Sequence, residues 1–222
     1  MTYQIISPPF SLKFWEMSEP ELRKYYQWFM KALPERIKVL ESAVQETEQY
    51  SLWSANETPD SLSSLGEWFT QNVEVRPRTQ EEMWMLNERQ PYTIEVAPVQ
   101  LTDRTLSLSI DVGMYFSQVL LRNVSGTFWE QPMDSKSIDY GQPVLNGFSG
   151  AFFNPVQVAT NVAYGVSRGK RNDRRLSTPP LKFGDVSDYA ASARVLASRS
   201  LILDSSRPRS RRVNFHWNGR AA

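Results

Sequence analysis

Apolar residues recur at Leu22, Tyr26, Phe29, Leu33, Ile37, Leu40 and Val44. Their steps of three and four predict one face of a long amphipathic helix. Ser18 stands at its start with Glu21 three residues on, the spacing of a capping box in which each side chain serves the other's backbone N–H. Lys24, Lys31, Glu35, Lys38 and Glu41 mark the opposite side. Pro34 lies inside the pattern, removes one backbone donor, and predicts a kink or a break.

The polar stretch Thr47–Glu57 reads as a linker. Thr58 then caps a second helix with Pro59 at its first turn, where a missing N–H costs nothing, and Leu62, Leu65, Trp68 and Phe69 form its inner face. Thr79 and Glu82 repeat the capping-box spacing ahead of Met83, Trp84 and Leu86. Pro91–Val99 alternates like a strand, which Pro98 confines to an edge or a loop. Asp103 reads as the cap of a helix from Arg104 to about Arg122, with Leu106, Ile110, Met114, Leu120 and Leu121 inward. Gly113 and Ser117 are small enough to admit a close neighbour. Thr127–Gln131 and Ile138–Phe148 read as strands around a polar turn at 133–137. Asn154-Pro155 opens a last helix with Val158, Ala159, Val162 and Val166 as its core stripe. Helices first, then strands, then a helix predict an α+β fold, N-terminal helices packed on a small antiparallel sheet.

Charge divides the chain. Its 222 residues hold 25 Lys or Arg and 24 Asp or Glu, a formal net charge of +1. Residues 168–222 carry thirteen basic and four acidic side chains, net +9, and residues 1–167 carry twelve and twenty, net −8. The expected organisation is therefore an acidic α+β domain, 1–167, followed by a basic Arg/Ser-rich tail, 168–222. The tail is too poor in apolar residues to offset its ordering entropy and is expected to be mostly disordered. Only Asp188–Leu203, with Tyr189, Val195, Leu196 and Leu201–Leu203, could form a short regular element.

Composition also limits the chemistry. There is no Cys and a single His, His216. That excludes a disulfide frame, a thiolate nucleophile and cysteine-based metal sites, and it argues against a His-rich metal centre or a Ser-His-Asp triad. No metal or cofactor is expected, and no glycine-rich phosphate loop or G-x-S-x-G is present. A domain of this size buries about 70 % of its unfolded surface, so it needs no staple. No basic-then-apolar leader and no run of about 18 apolar residues occurs, so the expected address is cytoplasmic and no membrane span is expected.

Asp111, in the most apolar helix, and Glu130, beside Trp129, are the candidate acid–base carboxylates, should they face each other across a cleft. The same residues are candidate protein contacts. Trp28 joins them because it lies off the stripe of the first helix and Trp is enriched at binding hot spots. The remaining Trp residues are expected in the core with a partner for each indole N–H. Lys170, Arg171, Arg174, Arg175, Arg207, Arg209, Arg211 and Arg212, with Phe215 and Trp217 as stacking groups, are candidate contacts to a nucleic-acid backbone.

FWEMSEPELRKYYQWFMKALPERIKVLESAV, PDSLSSLGEWF, SLSIDVGMYFSQVLLRN, TFWEQ, YGQPVLNGF and FNPVQVATNVAYG resemble a family of uncharacterised bacterial proteins, over roughly residues 12–170. The resemblance implies a small cytosolic α+β protein. Some similar families are immunity proteins of bacterial toxin systems, so it also implies a binding protein, with no catalytic residues to carry over. The leading expectation is a non-enzymatic protein-binding module, immunity-like, whose acidic body takes a basic toxin domain. The alternatives are an enzyme built on Asp111 and Glu130, and a nucleic-acid-associated protein acting through its tail.

Overall fold

The computed structural model describes residues 3–88, 97–148 and 152–171, without the side chains of Lys170 and Arg171. The expected disorder of the tail, and the candidate residues Arg174, Arg175, Arg207, Arg209, Arg211 and Arg212, lie outside the described residues.

Helix α1 runs unbroken from Glu19 to Gln45. The Glu21 carboxylate accepts from the Ser18 N–H at 2.8 Å and from its hydroxyl at 2.6 Å. Pro34 does not break the helix. It sits on the exposed side, where water can satisfy the carbonyl that its ring leaves unbonded. The buried face is Leu22, Tyr25, Phe29, Leu33, Arg36, Leu40 and Val44. Tyr25 and Arg36 thus occupy the places expected for Tyr26 and Ile37, which are only half-buried. The buried face steps 3-4-4 twice over, the same rhythm as the apolar stripe in a different phase.

Helix α2, Pro59–Gln71, follows a 3-10 turn at Glu48–Tyr50. It is capped as expected, with Thr58 Oγ1 accepting from the Ser61 N–H at 3.3 Å. Leu62, Leu65, Trp68 and Phe69 are buried. Strand β1, Val75–Pro77, pairs antiparallel with β2, Val99–Leu101, in the register Arg76 opposite Gln100. Between them α3, Gln80–Glu88, carries the expected capping box. The Thr79 N–H donates to Glu82 Oε2 at 2.8 Å and the Glu82 N–H to Thr79 Oγ1 at 3.1 Å. No residue of α3 is buried, so Trp84, expected inside, is 58 % exposed.

Glu82 also ties α3 to the ribbon. Arg76 reaches both its oxygens at 2.6 and 3.0 Å, and Gln100 Nε2 donates to Oε1 at 2.9 Å. The Arg76 hydrogen bonds above all, then the Thr79 N–H and Gln100, hold the Glu82 carboxyl down at about 2 against its ordinary 4.5. The depressed value means that this contact supports the folded state above pH 4.5 and is lost as pH falls through 2. A carbon-detected titration of the Glu82 carboxyl should show a midpoint near 2, and Arg76→Gln should return it toward 4.5. A midpoint that ignores Arg76 would contradict the geometry.

Helix α4, Asp103–Asn123, is the centre of the helical packing, lying against α1, α2 and α5. Its cap is Thr102, one residue before the expected Asp103, with Thr102 Oγ1 accepting from the Thr105 N–H at 3.2 Å. Every residue from Thr105 to Ser117 is buried. A helix enclosed on all sides needs its polar groups satisfied from within. Ser109 accordingly donates to the Thr105 carbonyl at 2.8 Å and Ser117 to the Met114 carbonyl at 2.5 Å.

Strand β3, Phe128–Glu130, pairs antiparallel with β4, Val144–Asn146, and Leu145 bridges to Phe153. The expected long strand 138–148 shrinks to three residues. Residues 137–142 are turn instead, fixed by Gly141 N–H to the Pro132 carbonyl at 2.7 Å and Gln142 N–H to the Asp139 carbonyl at 3.0 Å. Helix α5, Pro155–Arg171, packs along α4 and continues past residue 168, where the composition changes. The described architecture is α+β: five helices and two small antiparallel sheets of two strands each.

Candidate functional site

Asp111 projects from the middle of α4 and is fully buried. Arg36 meets it from α1 in a two-pronged ion pair, Nε to Oδ1 at 2.8 Å and a terminal nitrogen to Oδ2 at 2.6 Å. The Tyr3 hydroxyl donates to the same Oδ2 and lies 2.8 Å from Ser107 Oγ. Ser107 Oγ also accepts the Ile6 N–H at 2.8 Å, and Arg36 donates to the Gln4 carbonyl at 2.9 Å. One carboxylate thus ties the N-terminal arm to two helices.

Burial is the largest influence on this carboxyl and pushes it up to about 6, while the Arg36 hydrogen bond and charge and the Tyr3 hydrogen bond pull it back down. Burial works against the Arg36 charge, but its bond to Asp111 and the carboxylate field outweigh that and raise it. Tyr3 is raised by burial first and the Asp111 charge second, which keeps its proton on oxygen as a donor. Each charged group is paired and hydrogen-bonded, which a buried ion pair requires. With no exposed surface, the Asp111 side chain has no direct path to a partner or a substrate.

Glu130 is held elsewhere. Asn146 Nδ2 donates to its Oε2 at 2.6 Å across the β3–β4 ladder. It borders an open groove of about 490 Å³ that Met133, Asp134, Lys136 and Phe152 also line. Asp111 and Glu130 share no hydrogen-bond partner, so the paired-carboxylate arrangement expected of an acid–base site is not formed by these contacts. Trp129 packs edge-on against Phe29 at 5.6 Å, and Trp28 against Phe10 and Tyr25 at 6.1 and 5.7 Å. The fold therefore brings Trp28 and Trp129, both half-buried, into one aromatic group around Tyr25 and Phe29. Trp53 and Trp68 are buried as expected, with indole N–H bonds to the Ser61 carbonyl and Thr47 Oγ1, each at 2.9 Å. Trp15 stacks on Tyr140 at 5.0 Å near the surface.

A feature missed in the sequence lies at the α1–α2 corner. Between Lys38 and Arg76 the chain carries seven acidic residues and no basic one. Glu57 pairs with Arg122 at 3.3 Å and Glu74 with Arg104 at 3.0 Å, and Glu41 accepts the Ala55 N–H at 2.9 Å. Glu48, Asp60 and Glu67 are exposed and form no ion pair with another described residue. The bonds of Trp68 to Thr47, Gln71 to Tyr50 and Trp53 to Ser61 tie the segment that carries Glu48 to the helix that carries Asp60 and Glu67. Leu52, 97 % exposed, projects from the segment that carries Glu48. A charge count along 39–75 alone would have located it.

Among the described residues no cluster of three or more His, Asp or Glu is placed to hold a metal ion. None of their helices is long and apolar enough to cross a membrane. The chain matches no protein-family model, no curated protein and no solved structure.

Proposed function

We propose that the protein is a non-enzymatic, cytosolic binding module for a basic protein domain, in the manner of an immunity protein neutralising a toxin. The observation that carries this reading is the acidic segment 39–75, in which Glu48, Asp60 and Glu67 are exposed without an ion-pair partner among the described residues and Leu52 projects fully. Unpaired carboxylates raise the local negative potential, and such a field steers a basic partner and suppresses wrong ones. A protruding aliphatic side chain supplies apolar area that charge alone does not. The aromatic group of Trp28 and Trp129 and the Glu130 groove belong to the same reading as secondary contact regions.

The test is capture from the native host by the full chain and by a Glu48→Lys/Asp60→Lys/Glu67→Lys variant. The expected result is a basic partner whose affinity falls by about tenfold or more in the variant and with added salt, and whose toxicity is suppressed by co-expression of the wild-type chain. A partner bound equally by both chains, or none at all, would overturn the reading.

A further inference from the structure

Helix α3 presents an outward face for which the described fold provides no cover. Glu81, Trp84, Met85 and Glu88 recur at the three- and four-residue spacing of one helix face, and all four are exposed. The two apolar side chains stand in the middle, 58 % and 41 % exposed, with a carboxylate at each end. Val75 of the neighbouring ribbon is exposed as well. The carboxamide oxygen of Asn87, on the same helix, is out of contact with water and has no hydrogen-bond partner.

We propose that the chain's own C-terminal segment docks on this face, with Val195 and Leu196 against Trp84 and Met85. Two observations favour this occupant. The first is charge order. RVLASR, Arg194 to Arg199, places two cations around an apolar pair, the mirror of the two carboxylates around Trp84 and Met85. The glutamates stand about 10 Å apart along the helix axis, a span that two long arginine side chains can match. The second is where the chain leaves the described fold. Helix α5 packs on β2, and Tyr164 of α5 lies within the electrostatic reach of Arg78, one residue before the α3 cap. The helix continues only seven residues further, to Arg171. From there 23 residues lead to Val195, a tether that at about 3.3 Å per residue can span up to about 75 Å.

The absence of Cys makes the test clean, because two introduced thiols report on each other alone. In the full chain, Met85→Cys/Leu196→Cys should form an intramolecular disulfide on mild oxidation in most molecules, while Glu48→Cys/Leu196→Cys, outside α3, should stay reduced. Met85 and Glu48 are both exposed, so neither change disturbs the core. Equal yields from the two pairs would overturn the proposal. So would disulfides that form only between molecules, which would make a second copy the occupant. In the cysteine-free chain, Arg194→Glu/Arg199→Glu should speed amide exchange in α3 by about tenfold. Protection that is unchanged by the reversal would overturn the proposal too.

Discussion

Arg36→Met should destabilise the protein by about 3–5 kcal/mol at neutral pH, read as the loss in urea unfolding free energy. The variant keeps the length and apolar volume of the side chain but strands Asp111 as a lone carboxylate in a fully buried position. The cost of removing one member of a buried ion pair is the cost of the charge left behind. Three other anchors go with it: the bonds from Arg36 to Tyr3 at 3.0 Å, to the Gln4 carbonyl at 2.9 Å, and the seat of its guanidinium over the Tyr3 ring at 5.6 Å. The N-terminal arm should therefore loosen first, visible as faster exchange at the Ile6 amide.

The pH dependence separates this explanation from simple loss of packing. In the wild-type fold burial already raises the Asp111 carboxyl to about 6, above its ordinary 3.8, and Arg36 opposes that rise. Without Arg36 it rises further. A raised folded-state value means that the folded protein binds the proton more tightly than the unfolded chain. Stability then increases as pH falls through that value. The deficit of Arg36→Met should accordingly be full above the variant's own raised value and shrink as pH falls from there to about 6, where the wild type begins to take up the same proton. Asp111→Asn should be damaging too, but with a deficit that stays level over the same range, because an arginine keeps its charge. Arg36→Met/Asp111→Leu should recover most of what either single change loses. A pH-independent deficit in Arg36→Met, or a double variant no better than the singles, would show that the pair is not the source of the effect.

The same pair shows what a sequence discloses and what it withholds. Asp111 stood out because it is the only charged residue among the seventeen from Thr105 to Leu121. Its partner did not stand out. Arg36 fills a position on the inner stripe of α1, between Leu33 and Leu40, and an arginine there reads as part of the polar side. The regular step from Phe29 through Leu33 to position 36 was the available signal. A cation on a buried stripe requires a carboxylate, and α4 supplies the one that is enclosed. Capping boxes at Ser18 and Thr79 and the Thr58 cap were legible because they depend on side chains three residues apart. The β1–β2 ribbon was not. Its first strand, Val75–Pro77, is three residues with an arginine and a proline, too short for alternation to register, and it exists only because Val99–Leu101 arrives to pair with it. Trp84 misled for the converse reason. Its helical spacing is that of a core residue, and only the position of α3 at the rim of the ribbon leaves it outside. The acidic corner was hidden by averaging, since a net −8 spread over 167 residues conceals that seven acids fall between Lys38 and Arg76.

Gly113→Ala should cost about 1–3 kcal/mol, in spite of alanine's higher helix propensity. The reason is the contact between α4 and α5. A Cβ at position 113 would lie 2.6 Å from Val156 Cα and 2.8 Å from its backbone nitrogen. Those atoms belong to the first turn of α5, so no side-chain rotation relieves the overlap. The whole helix start must move outward. That turn is fixed by Asn154, whose Oδ1 accepts the Gln157 N–H at 3.0 Å and whose Nδ2 donates to Asp139 and Gln142 at 2.9 and 3.0 Å. Displacement would therefore strain the 137–142 turn and the Leu145–Phe153 bridge along with the helix pair. Gly169 provides the control within α5. An added Cβ there meets nothing within 4 Å, so Gly169→Ala should stabilise by up to about 1 kcal/mol through propensity alone. Opposite signs from two Gly→Ala changes, measured side by side as thermal midpoints, follow only if the α4–α5 crossing is as close as the structure has it. A neutral Gly113→Ala would mean that the helices stand further apart and that the small residue at 113 serves no packing role.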